Sequence, residues 1–350
     1  MNVLKRLSLA MALLALASFI LLFSDWNQRR GASGKTAQIA ILQFASRPTL
    51  DDGVAGILQG LGDMGYLAGK NLDVKRFNAE SDLSTANAIA RDITDGRYQV
   101  VITASTPAMQ AVANANKQGR AIHVFGVVTD PAGSGVGIGR KNPLDHPAHM
   151  VGIGTFQPVA EVFRLAKRIH PSLRTVGVVW NPGEACSVAC LEIGRAISRD
   201  LGMTLVEATV DSSVGVREAT ESLISRGIQA IWIGGDNIVE LAAPTLIASA
   251  TRSGIPVFTN NPDQAIQGAL FSLGANYREV GRRTGLLAGE ILKGKSPASI
   301  PIENVVPPRL VINTVSLKKL REEWQISPQV MAEADTIIDG DGAVKKVPRQ

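Results

Sequence analysis

The sequence predicts an α/β protein made of two successive halves, each a parallel sheet flanked by helices. Three observations carry that prediction. Short apolar runs alternate with amphipathic helical stretches from Gln38 onward. The links between them are short, as in βα units. A Gly- and Pro-containing section at 131–147 interrupts the rhythm, which then restarts.

In the first half, QIAILQ at 38–43 is a strand, and the amphipathic stretch 50–64 is a helix ending near Gly65. Strands at 72–77, 98–103 and 122–127 follow, with helices at 83–94 and 107–117 between them. The last of these helices opens on TASTPAMQA, where Ser105 or Thr106 can cap and Pro107 fits the first turn. A short strand at 150–153 precedes a join near Gly154–Pro158. The second half gives strands at 175–180, 204–208, 230–233, 255–259 and 269–273, with helices at 159–169, 186–201, 216–226 and 242–253. A long helix at 277–293 and a strand at 310–313 come late, and such elements often cross back to the other half. Segments 36–153 with 275–306 are therefore expected as lobe 1, and 154–274 with 307–327 as lobe 2. The polar stretch 328–350 reads as a loosely held tail.

Before the first strand, Lys5 and Arg6 precede an uncharged apolar run from Leu7 to Phe23. A basic segment followed by such a run is an export signal. No small-x-small cleavage site follows cleanly, and no cysteine offers a lipid attachment point. At about 17 residues the run reaches the lower limit for a bilayer span. Residues 1–35 are thus a cleaved signal or an uncleaved inner-membrane anchor with its linker, and the bulk of the chain is expected to be periplasmic or otherwise extracytoplasmic. The formal charge of +5 over 350 residues is modest and interspersed, so nucleic acid is not expected as a partner.

Open parallel sheets bind ligands beyond the carboxyl ends of their strands. Those exits here carry Gln43 and Ser46, then Ser105 and Thr106, then Asp130, then Asn181, Glu184 and Ser187, then Asp236 and Asn237. Helix capping explains such residues singly. Their occurrence at the exits of both halves points to two polar rims facing one cleft.

Six segments occur in order: ILQFASRPTLDDGVAGILQGLGDMGYLAGKN, ASTPAMQA, VVTDPAGSG, VGVVWNPGEACSV, GGDNIVE and GALFSLGANYREVGRRTGLLAGEILKG. Together they resemble the ABC transporter substrate-binding proteins of the tryptophan/tyrosine-binding type, from about Gln38 to Asp339. The resemblance implies two Rossmann-like lobes, hinge-connected, of the periplasmic binding protein-like I fold. It implies a protein that closes on a small-molecule ligand and delivers it to a membrane permease driven by a cytoplasmic ATPase. A monomer is expected, as is an amino acid ligand, possibly aromatic. The turn at Ser105 and Thr106 would hold the carboxylate at a helix N-terminus. Asp236 would pair with the ammonium beside Asn237, with Asp130 and Glu184 as alternates. Gln43 and Ser46 would line the first lobe, and Asn181 and Ser187 the second. The chain departs from the family pattern at Arg47-Pro48, where His-Pro is usual, and at Cys186, where Asn is usual. Arg47 would favour a more acidic ligand, and Cys186 would make the pocket more apolar. The same cleft could instead serve a membrane-tethered ligand-sensing module that signals to a partner protein.

Other signals are weaker. The run Gly133–Gly139 has Ile138 where a dinucleotide fingerprint needs Gly, and no helix follows it. Asp145, His146 and His149 sit in a Pro-containing loop, and the DGDG at 339–342 lacks the further ligands of a calcium site, so no metal is expected. Cys186 and Cys190 share one helix face, where a disulfide would be strained, and two reduced thiols are expected. No G-x-S-x-G occurs and no His stands at a polar exit, which argues against an enzyme. No catalytic residue and no cofactor is expected.

Overall fold

The computed structural model describes residues 36–340 and the strand at 344–346; the apolar run at 7–23 lies outside them. In the first lobe, β1 (Ala37–Gln43), β2 (Leu72–Asn78), β3 (Val100–Ala104), β4 (Ile122–Val128) and β5 (Met150–Gly154) alternate with α1 (Pro48–Asp63), α2 (Leu83–Ile93) and α3 (Thr106–Ala115). β1 shows why its sequence is an unbroken apolar run. Ile39 and Ile41 pack with Val54, Ile57 and Leu61 on one face, while Ala40 and Leu42 pack with Ala86 and Ala90 on the other. A strand buried on both faces belongs between two helical layers.

The second lobe repeats the scheme with β6 (Thr175–Trp180), β7 (Thr204–Thr209), β8 (Ala230–Ile233), β9 (Val257–Thr259) and β10 (Phe271–Ala275). Its helices are α4 (Val159–Ile169), α5 (Ala185–Asp200), α6 (Val216–Ser225), α7 (Asn237–Leu241), α8 (Ala243–Arg252) and α9 (Asp263–Ile266). In β8, Trp232 joins the cluster around Phe163 and Phe258, and Ile231 and Ile233 join the opposite one. The short α7 was not foreseen. Pro244 at the start of α8 has no N–H to give the carbonyl four residues back, so the chain makes two short helices there.

The chain then returns to the first lobe through α10 (Tyr277–Leu292) and β11 (Glu303–Asn304), and ends on the second with β12 (Pro308–Asn313), α11 (Pro328–Glu333), β13 (Thr336–Ile338) and β14 (Val344–Lys346). The first sheet has the order β11-β5-β4-β3-β1-β2 and is parallel throughout. The second runs β14-β13-β12-β10-β9-β8-β6-β7 and is mixed, since β12 lies antiparallel to β10 and β14 to β13. The stretch expected to be a loosely held tail therefore contributes α11, β13 and β14 to the second lobe. A few apolar side chains in a polar background anchor it: Val330, Ala334 and Ile338 are buried, and Ser327 caps α11 through the Val330 N–H. Upstream of it, Trp324 stacks on His170 at 4.6 Å.

The chain passes between the lobes after β5, after β10 and after β11. These crossings are bonded to one another. Phe156 N donates to Asn304 Oδ1 (2.8 Å), Asn276 N to Pro307 O (2.8 Å), and Gln157 Nε2 to the Tyr277 hydroxyl (2.8 Å). The second crossing leads into α10, which lies directly on α1. A Cβ placed on Gly281 would sit 1.9 Å from Gly53 O, and one on Gly60 2.0 Å from Arg282 O. Only glycine permits that approach. The contact fixes Tyr277 and the loop that carries Arg47 to one rigid layer.

Candidate functional site

The carboxyl ends of both sheets meet across a narrow void of about 20 Å³, nearly closed by the residues that line it. On the first lobe it is lined by Ser105 and Thr106 at the start of α3, Val127 and Thr129 after β4, Thr155 after β5, and Arg47 and Thr49 after β1. The opening TASTPAMQA forms a capped helix start, as its residue types require: Ser105 Oγ accepts from Ala108 N at 3.3 Å, and Pro107 lies in the first turn. Ser105 has φ 108°, an unusual backbone for a serine, pinned by its N–H donating to Gly126 O at 3.2 Å. Next to it Val127 has φ 56°, costly for a β-branched residue, at a bulge between β4 and β5. Two strained residues on adjacent strand ends, both lining one cavity, mark a place where geometry outranks backbone preference.

Among the described residues, Thr106 Oγ1, Thr155 Oγ1 and Arg47 Nε are buried without a hydrogen-bond partner. All three belong to residues lining this void. Buried polar atoms without partners are rare enough in folded proteins to need a reason. With the N-terminus of α3 they make one wall rich in hydrogen-bond donors.

The opposite wall comes from the second lobe: Cys186, Gly235, Asn237 and Glu240, with Gln157 and Tyr277 from the crossings. The carboxylates divide sharply here. Asp236 is the N-cap of α7 and accepts from Val239 N (2.8 Å), Ser187 Oγ (2.6 Å) and Asn181 N (2.6 Å). Glu184 accepts from Asn237 N (3.0 Å) and Nδ2 (2.5 Å), from Ile238 N (3.3 Å) and from Cys186 Sγ (3.3 Å). Both are consumed in building the wall and neither lines the void. Burial, and then the neighbouring Asp236, raise the Glu184 carboxyl above its ordinary range, partly offset by the Asn237 and Cys186 hydrogen bonds. Glu240 is different. Its carboxylate lines the void and accepts from Arg47, from Asn261 Nδ2 (3.1 Å) and from Thr49 Oγ1 (3.4 Å), all at Oε2. Burial raises its carboxyl too, with Arg47 pulling the other way.

Arg47 thus crosses from one lobe to the other. Its guanidinium pairs with Glu240 and donates to Asn237 Oδ1. Asn261 Nδ2 adds a second interlobe bond, to Thr49 Oγ1 at 2.7 Å. The extra cation noted in the sequence is therefore neutralised by Glu240, a residue not expected at the site.

Of the residues expected at the site, the structure brings Ser105, Thr106 and Asn237 to the void. Gln43 is buried beside it and donates to Ala45 O (2.7 Å) and Asp51 Oδ1 (2.6 Å). Ser46 is exposed and bonded to Asn78 Nδ2 at 3.2 Å. Asp130 is held by Arg140 (2.6 Å) and Gly133 N (3.0 Å). Asn181 lines an outer groove with Pro182 and Asp211, and Ser187 lies behind the wall with Trp232. Arg47, Thr49, Thr155, Gln157, Glu240 and Tyr277 line the void without having been expected as ligand contacts. Arg47 had stood out as a departure from the family pattern, and Glu240 had a readable cue, since it follows Asp236 by four residues and so shares its helix face. Both cysteines are free and buried, and burial pushes the Cys190 thiol up to about 12.

Two lobes, bonded crossings and a cleft lined from both sides are the arrangement of a solute-binding protein. Residues 38–338 match the family described as ABC transporter substrate binding protein, and the chain belongs to that family. The lobes have the α/β fold of type I periplasmic binding proteins, which structures bound to 5-methylthioribose or myo-inositol share at 14% and 11% identity. More similar proteins include the tyrosine-binding protein of Clostridioides difficile, 28% identical over 295 residues covering 84% of each chain. A conserved domain protein from Vibrio cholerae is 32% identical with a TM-score of 0.81, over 87% of this chain and all (100%) of that one. A Streptococcus pneumoniae ABC domain in complex with L-Trp also gives 0.81, at 26% identity and over the same 87% and 100%. A ligand-free, open structure of a substrate binding protein with adhesive properties from Clostridium difficile gives only 0.63, at 27% identity, over 84% of this chain and 98% of that one. At nearly the same identity, the chain fits the L-Trp complex better than the ligand-free, open structure.

Proposed function

We propose that this chain is the extracytoplasmic receptor of an ABC importer and that it holds an amino acid in the interlobe cleft. The carboxylate lies on the start of α3, where Thr106 and Thr155 have hydroxyls to give and the helix dipole adds attraction. The ammonium lies on Glu240, whose Oε1 makes no hydrogen bond among the described residues, rather than on Asp236. Asp236 and Asn237 hold that wall in shape. Val127, Cys186 and Tyr277 add a few apolar side chains to an otherwise polar lining. The single observation that carries this reading is the placement of partnerless hydroxyls and a carboxylate on opposite walls of one void. The tyrosine-binding relative and the L-Trp complex support it.

Export by the apolar run at 7–23, with or without a retained tether, and delivery to a membrane permease coupled to a cytoplasmic ATPase complete the proposal. Native mass spectrometry of the purified protein should show a retained amino acid, and calorimetry should give saturable one-to-one binding of L-tryptophan or L-tyrosine. A retained sugar, or no heat with any of the common amino acids, would overturn it.

A further inference from the structure

Arg47 and Glu240 stand on opposite lobes, and their side chains are 10% and 3% exposed where they meet. The planar guanidinium serves two acceptors at once, Glu240 and Asn237, a task suited to arginine and not to lysine. A ligand ammonium that reaches Glu240 therefore meets a cation already in place. We propose that Arg47 is a built-in counter-ion that selects the ligand: the incoming ammonium takes over Glu240, and the incoming carboxylate takes over the released guanidinium. This rests on the amino-acid reading above and names the residue that sets its specificity.

The charge balance makes the selection. A zwitterion replaces one buried ion pair with two. An amine of the same side chain displaces Arg47 and leaves a guanidinium without an anion inside a closed cleft, which is strongly unfavourable. A carboxylic acid without the amine leaves the Arg47–Glu240 pair in place and finds only the hydroxyls and the α3 N-terminus. Arg47 Nε is buried without a partner on a residue that lines the void, so the guanidinium keeps a donor to give a ligand anion.

Calorimetry on the purified protein with L-tryptophan, tryptamine and 3-indolepropionate, and with the matching L-tyrosine series, tests this. The wild type should favour the amino acid over the amine by roughly 100-fold or more, within the range measured for close charge pairs. Arg47→Ala should narrow that gap by about tenfold or more, because no guanidinium is left to strand. Arg47→Gln, which keeps a polar, uncharged side chain longer than alanine, should narrow it likewise and serves if the alanine variant melts early by circular dichroism. Equal weakening of amino acid and amine in both variants would overturn the proposal and leave the amino-acid reading standing. Binding of no amino acid by the wild type would overturn both.

Discussion

At the scale of single residues, His123 shows how burial sets a pH dependence. It is fully buried in β4, with Nε2 2.9 Å from Thr103 Oγ1, and burial with the nearby His149 pushes its imidazole down to about 3. Between that value and the ordinary 6.5, the unfolded chain binds a proton that the folded chain does not. Stability from this group is complete above pH 6.5 and is lost as pH falls, by about 2 kcal/mol at pH 5. Glu184 and Glu240, with raised carboxyls, act in the opposite sense as pH falls toward their unfolded value. Chemical denaturation at pH 7 and pH 5 should therefore show a smaller loss in His123→Gln than in the wild type; equal losses would remove His123 from the account. The same scale explains what the sequence could and could not tell about the site. Ser105, Thr106 and Asn237 were legible because strand exits and helix starts are local features. Asp236 and Glu184 were expected to meet the ammonium, and only tertiary contacts reveal that distant backbone N–H groups and Ser187 occupy them. Glu240 becomes a ligand candidate only because Arg47 and Asn261 arrive from distant parts of the chain.

At the scale of elements, the pairing of α1 with α10 is the most demanding contact in the first lobe. Gly53, Gly56 and Gly60 of one helix face Gly281 and Gly285 of the other, with would-be Cβ atoms 1.9–2.1 Å from backbone oxygens at Gly56, Gly60, Gly281 and Gly285. Ordinary contact begins near 3.4 Å, so an alanine forces the helices apart. Gly285→Ala should lower stability by about 1–3 kcal/mol, as overpacking does, despite alanine's better helix propensity. It should also weaken ligand binding, since α1 follows Arg47 and α10 begins at Tyr277. Thermal melting and calorimetry check the two effects, and an unchanged melting point would show that the layer can relax. Most of the βα order was legible, because strands buried on both faces must be continuous apolar runs. The antiparallel β12, and the return of α11 and β13 to the second sheet, were not. Three-residue strands with alternating burial leave too little pattern in a polar stretch.

At the scale of the whole molecule, the lobes touch through polar groups and are joined by crossings bonded to one another. Removing Arg47 leaves Glu240 buried and unpaired while the cleft is shut, whereas an open cleft lets water reach it. Arg47→Ala should therefore shift the population toward wider lobe angles, seen as a larger radius of gyration by small-angle scattering in buffer. Superimposable curves for variant and wild type would show that the pair has no part in holding the lobes. The direction of the strands carries a practical corollary. The first sheet sends its carboxyl ends to the cleft, so Ala37, at the head of β1, sits at the opposite pole. A biotin or a fluorophore coupled upstream of that residue stays clear of the ligand's doorway, and the receptor can be fixed to a sensor chip by this end with its mouth facing the flow.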